Sequence, residues 1–231
     1  MDRRLGIKPL IVGCVATEAQ LRRCARRAPA DCDWIEVRLD LTGPCGGEWA
    51  ELCAAAARNG RPVLLTVRSA REGGRWRGRE AERTALLLRG LDVAAAVDVE
   101  IASSAFGRVA QAARRRGVAV VGSFHDFRAT PGAARLAAIE ARGRAQGADV
   151  VKIAAHVRTA ADLARLFALP ARAQGPICAL GMGPLGAIAR VALPAAGSCL
   201  AYGALEAATA PGQLACRDLA KELARWGVRP R

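Results

Sequence analysis

Residues 118–155 read VAVVGSFHDFRATPGAARLAAIEARGRAQGADVVKIAA and carry the clearest fold signal in the chain. The stretch predicts an apolar strand, an amphipathic helix and a second apolar strand. Both strands are apolar almost throughout, which is typical of strands buried on both faces of a parallel sheet. This strand–helix–strand unit predicts an α/β protein with its helices outside the sheet.

The same alternation extends from this unit towards both ends of the chain. Eight strands are predicted, at residues 9–16, 33–41, 62–68, 94–102, 118–127, 148–155, 176–182 and 197–203. Eight helices are predicted at residues 18–27, 48–58, 79–90, 104–115, 133–146, 159–167, 186–191 and 211–226. Strict alternation of eight units favours a single (β/α)8 TIM barrel over residues 1–231 rather than an open, doubly wound sheet. The first strand is not followed by GxGxxG, the usual mark of a dinucleotide-binding fold.

Composition is consistent with one large domain, because 52% of the 231 residues are hydrophobic and no linker is visible. The net charge is +14, but the basic residues are almost all arginines scattered over predicted helices, and aromatic residues make up only 4%. Such a chain lacks the stacking platforms of a nucleic-acid-binding protein, so we expect no nucleic-acid partner. The positive charge favours anionic small substrates.

Membrane, secreted and metal-binding proteins are disfavoured, because the chain lacks the sequence features of each. No apolar run approaches the roughly 18 residues of a transmembrane helix, and no signal-peptide cleavage region follows residues 1–16. We therefore expect no membrane partner and a cytoplasmic location. The eight cysteines form no CxxC pair and have no histidine at ligand spacing, so we expect buried thiols rather than disulfides or a metal site.

Lysine occurs only three times, and Lys152 lies inside the apolar segment ADVVKIAA. Arginine cannot lose its proton in a protein, whereas a desolvated lysine can have its pKa lowered enough to attack a carbonyl carbon. Lys152 is therefore a candidate imine-forming nucleophile. The alternative is a structural lysine that pairs with a carboxylate such as Glu36, Glu100 or Asp149.

His125 ends the strand that precedes the strand of Lys152, so the two strand ends are expected to be neighbours in a barrel. Imine chemistry requires a proton transfer at each step, and histidine is the side chain best suited to this near neutral pH. A purely structural His125 is equally compatible with the sequence. His156, the only other histidine, is expected in a loop or at a helix start.

Charged residues also follow the second and third strands. Glu36 and Arg38 share one face by strand alternation, and that face is expected to point into the barrel mouth. Arg68 ends the third strand, and Glu72 follows it in SAREGG, whose glycines suit a tight turn. The alternatives are a structural ion-pair cluster and, for Glu72, a solvated loop carboxylate.

Arg190 in GMGPLGAIAR and Gln213 in TAPGQ follow strands seven and eight. This is the zone where barrels often bind anionic groups, so the pair predicts a site for a carboxylate or phosphate. The alternatives are a surface arginine on a helix and a helix start with proline at its first position.

Taken in order, these segments resemble the type I 3-dehydroquinate dehydratase family, the Schiff-base dehydratases of the shikimate pathway. The matching motifs are EVRLD (36–40), TVRSAREGG (66–74), SFHDFRATP (123–131), ADVVKIA (148–154), MGPLGAIAR (182–190), and GSCLAYG (197–203) with APGQ (210–213). The resemblance covers residues 9–214. It implies a lyase of aromatic amino acid biosynthesis that removes water from 3-dehydroquinate by syn elimination to give 3-dehydroshikimate, without a cofactor.

The resemblance also implies roles for individual residues. Lys152 would form the imine with the substrate ketone, His125 would take the C2 proton and assist departure of the C1 hydroxyl, and Glu72 would orient His125. The implied substrate-binding residues are Glu36, Arg38, Arg68, Met182, Arg190, Thr209 and Gln213. The family further implies a homodimer.

Three positions depart from the pattern of the family and bear on substrate affinity rather than on reaction type. Ala196 stands where many relatives have an aromatic residue, Pro184 where a charged residue is frequent, and Thr209 where serine is common. Two other functions are compatible with the sequence. One is a barrel aldolase that would share Lys152 but cleave a carbon–carbon bond, and the other is a basic nucleic-acid-binding protein.

Overall fold

The computed structural model describes residues 9–44, 47–206 and 212–228. Its strands are β1 (Leu10–Val15), β2 (Trp34–Arg38), β3 (Val63–Thr66), β4 (Ala96–Glu100), β5 (Ala119–Asp126), β6 (Val150–His156), β7 (Ile177–Met182) and β8 (Leu200–Ala204). Its helices are α1 (Glu18–Arg26), α2 (Leu39–Thr42), α3 (Trp49–Arg58), α4 (Glu80–Gly90), α5 (Phe106–Arg115), α6 (Ala133–Ala145), α7 (Ala160–Phe167), α8 (Leu169–Arg172), α9 (Gly186–Ala195) and α10 (Cys216–Arg225).

The strands pair in parallel in the order β7-β6-β5-β4-β3-β2-β1-β8. Between β7 and β8 the Cys199 N–H donates to the Ile177 carbonyl oxygen at 2.8 Å. The Ser198 hydroxyl bonds both the N–H and the carbonyl of Ala179, so these contacts draw the two ends of the sheet together. The predicted (β/α)8 barrel is confirmed.

Alternate residues of each strand face opposite sides of the barrel wall. Outward residues such as Ile11 and Val97 pack with the helices in one apolar cluster, and inward residues such as Trp34 and Leu200 form a second cluster inside the barrel. Towards the C-terminal ends of the strands the inward residues become polar and stay buried. The buried polar residues Glu36 of β2, Asp98 of β4 and Lys152 of β6 therefore lie above the apolar cluster inside the barrel.

Two helix starts follow from their sequences. Thr17 and Gln20 form a capping box at α1, and Thr159 and Asp162 form one at α7. In each box the threonine hydroxyl accepts a backbone N–H of the first turn, and the residue three positions later caps the threonine N–H. The predicted start at residue 18 is confirmed, and residue 159, the predicted start of the other helix, is its N-cap.

Several boundaries differ from prediction, and residues 39–41, predicted as the end of the second strand, instead belong to the short helix α2. His156 is the last residue of β6 rather than part of a loop. Helix α9 continues past Val191 to Ala195, because Pro194 falls in its last turn and removes only one helical hydrogen bond. Helix α10 begins at Cys216 rather than 211, because the Leu214 carbonyl oxygen accepts the Ala204 N–H and extends the pairing of β8.

Further observations concern membranes and cysteines. Over the part of the chain that is described, no helix combines the length and apolar character needed to cross a bilayer. The cysteines at 14, 24, 32, 53, 178, 199 and 216 are buried thiols, as predicted, and Cys45 lies outside the described residues.

Candidate active site

A cavity of about 510 Å³ opens at the C-terminal ends of the strands. It brings together nearly all of the predicted site residues. Those that line it are Glu36, Arg38, Arg68, Glu72, His125, Lys152, Met182, Arg190 and Gln213. Thr209 lies outside the described residues.

Lys152 lies in the middle of β6 and is 4% exposed. Its Nζ donates to Asp98 Oδ2 at 3.1 Å, to Tyr202 Oη at 3.1 Å and to Glu36 Oε1 at 3.4 Å. These three acceptors match the three N–H bonds of an ammonium.

The electrostatics of Lys152 differ from the sequence-based expectation. Burial alone would lower the pKa of Lys152, but the Asp98 and Glu36 carboxylates raise it above the ordinary value. The expectation of a lowered pKa is therefore wrong, because two carboxylates offset the desolvation. Of the partners expected for a structural lysine, only Glu36 is in contact. Asp149 instead accepts the Val120 N–H.

Asp98 is the anionic centre of the site, and the sequence placed it among the polar residues of the fourth strand without assigning it a role. Its Oδ1 accepts from Arg68 Nη2 at 2.7 Å and from the Ser123 hydroxyl at 2.6 Å, while Oδ2 accepts from Lys152. Burial would raise the pKa of Asp98, but Arg68 and Lys152 lower it well below the usual range. Asp98 therefore stays ionised and holds Lys152 protonated.

Arg68 is 3% exposed and is committed to protein partners. Besides Asp98, it donates to the Ser123 hydroxyl at 2.7 Å and lies 3.2 Å from Glu100. Burial lowers the pKa of Arg68, but Asp98, Glu100 and Glu36 raise it far more. Arg38 is bonded in the same way to Asp40, through Nε at 2.9 Å and Nη2 at 2.8 Å.

His125 and Glu72 are joined at two points. Glu72 Oε2 lies 2.9 Å from the ring Nδ1 of His125 and accepts the backbone N–H of His125 at 2.9 Å. Burial, together with the charges of Arg68 and Lys152, lowers the pKa of His125 well below 6.5. Burial raises the pKa of Glu72 to about 7, although Arg68 acts in the opposite direction. A neutral His125 that donates from Nδ1 to an ionised Glu72 leaves Nε2 as a base.

The turn that carries Glu72 requires the two glycines that follow it. Gly73 has φ +77°, the left-handed conformation that suits glycine. A Cβ on Gly74 would lie 2.0 Å from the Arg68 carbonyl oxygen. The segment folds back so tightly because Trp76 donates its N–H to that same carbonyl. The sequence EGG thus places Glu72 over the end of β5.

Arg190 forms the opposite side of the cavity and is 4% exposed. Its Nε donates to the Gly212 carbonyl and its Nη1 to the Tyr202 carbonyl, at 2.9 and 3.0 Å. No carboxylate within residues 9–44, 47–206 and 212–228 pairs with Arg190. Burial lowers the pKa of Arg190 to about 10, and an anionic ligand would relieve this unfavourable burial of charge.

Sequence reasoning assigned no role to several residues in or beside the cavity. Asp98 and Tyr202 contact Lys152, and the Cys14 thiol donates to Glu36 Oε2 at 3.7 Å. Phe127 lines the mouth and is 46% exposed. The strand-end rule had already selected Asp98, and Tyr202 was accessible in principle because strand alternation places it on the same inner face of the barrel.

No group of three or more His, Cys, Asp or Glu side chains in the described part of the chain is arranged to hold a metal ion. Most of the buried charges at the cavity lie beside an opposite charge, whereas Arg190 is buried without a carboxylate partner among the described residues. The arrangement can hold a carbonyl compound beside an amine, a neutral histidine base and an unpaired guanidinium.

Comparison with known proteins then identifies the family. Residues 12–228 match the model of the type I 3-dehydroquinase family. The chain belongs to this family. The predicted family and enzyme class, a type I 3-dehydroquinate dehydratase, are thereby confirmed.

Individual members of the type I 3-dehydroquinase family are similar over nearly their full length. The 3-dehydroquinate dehydratase of Methanosarcina barkeri is 36% identical, with 94% of each chain covered. The crystal structure of the Geobacillus kaustophilus enzyme has a TM-score of 0.88 at 26% identity, covering 97% of this chain and 93% of that one. The Clostridium difficile enzyme, whose structure carries covalently modified comenic acid, has a TM-score of 0.86 at 26% identity, covering 96% and 94%.

Proposed function

We propose that this cavity dehydrates 3-dehydroquinate to 3-dehydroshikimate through an imine on Lys152. The observation that carries the proposal is the placement of Lys152, His125 and Arg190 in one cavity. An amine, a neutral base and an unpaired cation meet the needs of a substrate that has a ketone, an acidifiable C–H bond and a carboxylate.

Binding begins with the carboxylate. Arg190 has spare donors and no anionic protein partner among the described residues, so it is suited to hold the carboxylate of the substrate, together with Gln213 and Thr209. Glu36, Arg38 and Arg68 contact the ring hydroxyls and the cavity mouth, and Met182 packs against the ring. Since Arg68 is bonded to Asp98 and Ser123, its contribution is mainly to fix those acceptors.

The imine forms when the Lys152 ammonium loses a proton and the amine attacks the ketone carbon. The resulting neutral carbinolamine regains one proton on its hydroxyl, which departs as water and leaves a protonated imine. The cationic nitrogen draws electrons from the ring, which acidifies the neighbouring C2–H bond without a metal or cofactor. Asp98 and Glu36 stabilise this cation because both contact the same nitrogen.

His125 then accepts the C2 proton at Nε2, and the C–H electron pair moves towards the imine nitrogen. The resulting imidazolium is stabilised by Glu72, 2.9 Å from Nδ1. As the electrons return from nitrogen, the C1–O bond breaks and His125 gives its proton to the departing hydroxyl. Hydrolysis of the imine releases 3-dehydroshikimate and restores Lys152.

Borohydride trapping tests the assignment directly. Reduction of the wild-type enzyme with substrate is expected to inactivate it irreversibly, with the added mass on the peptide that contains Lys152. Lys152→Arg should be inactive and unlabelled, because a guanidinium cannot become an imine nitrogen. A label on Lys221, the exposed lysine of α10, would contradict the proposal.

Product analysis separates dehydration from the aldolase alternative, which would use the same lysine. Incubation with 3-dehydroquinate should give one six-carbon-ring product with the absorbance of a conjugated carbonyl. Full activity should survive exhaustive chelation. Carbon–carbon cleavage fragments, or activity restored by an added metal ion, would exclude the proposed reaction.

We further propose that residues 1–231 form one catalytic domain, which works as a cytoplasmic homodimer. The single domain is supported by the pairing of β8 with β1, which joins the two ends of the barrel sequence. The dimer rests on the family resemblance. Light scattering on the purified chain should give the mass of two chains, and a monomer mass would refute it.

A further inference from the structure

Arg83 is a buried charge that none of the steps above uses. It lies near the start of α4 and is 1% exposed, and arginine is almost never buried so completely unless it is paired. Its Nη1 donates to the Val67 carbonyl at 2.9 Å and also bonds Glu100 Oε2. Its Nε and Nη2 donate to Glu80 at 2.9 and 2.8 Å, and Nη2 also donates to the Ser103 hydroxyl at 3.0 Å. Every nitrogen of the guanidinium therefore has a protein acceptor.

Glu100 connects Arg83 to the polypeptide that follows β3. Its Oε1 accepts the Ser69 N–H at 2.9 Å and lies 3.2 Å from Arg68 Nη1. The carbonyl that Arg83 bonds directly belongs to Val67, the residue just before Arg68. Three consecutive residues at the end of β3 are therefore held from α4, one by Arg83 itself and two through Glu100.

The turn that starts at these residues ends at the group that holds the catalytic base. Ser69 caps the single turn Ala70–Glu72, and its hydroxyl accepts a backbone N–H of that turn. Glu72 Oε2 then lies 2.9 Å from both the backbone nitrogen and Nδ1 of His125. The position of Glu72 is thus set by the place where this short turn begins.

Taking the proposed roles of His125 and Glu72, we infer that Arg83 is a positioning residue for the dehydration. It holds the start of the turn, directly and through Glu100, where Glu72 can bond the ring of His125. Arginine suits this role because its planar fork directs several N–H bonds at fixed angles, whereas lysine offers one nitrogen. Arg83 acts from the helix layer and does not itself line the cavity.

A purely structural Arg83 predicts a different result from a positioning residue. Removal of one partner of a buried ion pair lowers the stability of the fold, but the molecules that stay folded would turn over at the normal rate. A positioning role predicts instead that folded molecules turn over slowly. It also predicts that the loss depends on the presence of Glu72.

Arg83→Met removes the guanidinium and keeps an unbranched stem. Borohydride trapping at saturating substrate counts the molecules that form the imine, so kcat can be expressed per competent site. We expect kcat per site to fall by up to roughly 10²-fold, the cost of a displacement of about 1 Å in a catalytic arrangement. KM should change less, because Arg190 lies on the opposite side of the cavity.

A double-substitution cycle tests whether Arg83 acts through Glu72. Independent sites have effects that add to within about twofold, so an unrelated Arg83 would cost the same factor with or without Glu72. If the inference holds, Arg83→Met added to Glu72→Ala should lower kcat per site much less than it does alone. A full further loss in the Glu72→Ala background would overturn the inference, and so would a normal kcat per site in Arg83→Met.

Arg144→Met is the matched control. Arg144 is also a partly buried helix arginine that pairs with a glutamate, and it donates to the Asp149 and Pro176 carbonyls at 2.9 and 2.6 Å. These carbonyls precede β6 and β7, at the end of the barrel opposite the cavity. The thermal midpoint should fall in Arg144→Met while kcat per site stays at the wild-type value.

The bond between Glu72 and His125 can also be observed without turnover. The chain has two histidines, so isotope-labelled histidine gives nuclear magnetic resonance signals from the rings of His125 and His156 alone. Arg83→Met should shift or remove the Nδ1–H signal of His125 and leave His156 unchanged. An unchanged His125 signal would reject the inference. Should Arg83→Met not fold, Arg83→Lys keeps the charge but not the fork, and the same cycle and signals apply.

The inference and the proposed function fail in different ways. If wild type gives no adduct on Lys152, the proposed function fails, and the ring signal of His125 still decides whether Arg83 places Glu72. If wild type gives the adduct and dehydrates the substrate while Arg83→Met matches it in kcat per site and in the ring signal, only the positioning role fails.

Discussion

One carboxylate oxygen of Glu72 holds His125 by both its backbone and its ring, at 2.9 Å from the amide nitrogen and 2.9 Å from Nδ1. The backbone contact fixes the end of β5, and the ring contact fixes the imidazole. With Nδ1 occupied, the nitrogen that remains for the substrate is Nε2. The relationship links the charge of Glu72 to the basicity of His125.

The pH dependence of kcat/KM should therefore report Glu72. Burial raises the pKa of Glu72 to about 7, while the pKa of His125 is lowered well below 6.5. We expect kcat/KM to rise with pH through about 7 as Glu72 ionises. Glu72→Gln should lower turnover and abolish this limb, because the amide does not titrate. An unchanged limb in Glu72→Gln would assign it to another group.

Asp98→Ala should destabilise the fold as well as the site. The substitution leaves Lys152 and Arg68 buried without the carboxylate that both contact, and loss of one partner from a buried pair costs about 3–5 kcal/mol. Urea unfolding should show this decrease in the free energy of unfolding.

Asp92→Ala is the control for Asp98→Ala. The Asp92 side chain is 67% exposed and pairs with Arg116 on the surface, so its loss should cost only about 0–1 kcal/mol. Equal losses for Asp98→Ala and Asp92→Ala would mean that the buried cluster contributes no more than a surface pair.

Gly74→Ala should disable the site without touching a catalytic side chain. The new Cβ would lie 2.0 Å from the Arg68 carbonyl oxygen, so the turn that carries Glu72 must move. A displacement of about 1 Å in a catalytic arrangement can cost roughly 10²-fold, and we expect a loss of that order in kcat/KM.

Gly107→Ala provides the comparison. Gly107 lies in α5, and a Cβ there meets nothing within 4 Å. Alanine should leave activity unchanged and stabilise the protein by about 0.5–1 kcal/mol. Wild-type activity in Gly74→Ala would show that the turn tolerates the displacement.

Arg190→Ala should act mainly on KM. The contact to a substrate carboxylate is retained in the ground state and in the transition state, so its loss weakens both equally. We expect KM to rise roughly 10- to 100-fold, which corresponds to the loss of about 1.5–3 kcal/mol from a charged hydrogen bond. Arg172→Ala, an exposed arginine on α8, should leave KM unchanged. An unaltered KM in Arg190→Ala would place the carboxylate elsewhere.

Much of the fold and the site was predictable because the information is local. Strand and helix periodicity gave all eight strands in order, and the rule that catalytic groups follow barrel strands selected Lys152, His125 and Arg190. Boundaries were less accurate where a proline is tolerated in the last turn of a helix or where a tertiary contact overrides a local signal. Helix α9 runs through Pro194, and Leu214 pairs with β8 instead of starting α10.

The partners of Lys152 illustrate what the sequence could not give. Asp98 lies 54 residues before Lys152 and Tyr202 lies 50 residues after it, and no sequence spacing relates them. The sequence allowed three carboxylates as partners of Lys152, those of Glu36, Glu100 and Asp149. Only Glu36 contacts Lys152 Nζ. The direction in which the pKa of Lys152 shifts depends on these same partners, because the carboxylates outweigh the desolvation.

The sequence by itself determined the alternation of strands and helices, the polar residues at the strand ends and the motifs that mark the family. These properties depend on the order and spacing of neighbouring residues, which can be read directly from the sequence. Only the tertiary structure decided that Glu72 holds the ring of His125, that Lys152 stays protonated between Asp98 and Tyr202, and that Arg190 faces the cavity without a described anionic partner. These are distances between strands brought together by barrel closure, and burial then sets how strongly each charge acts on the next.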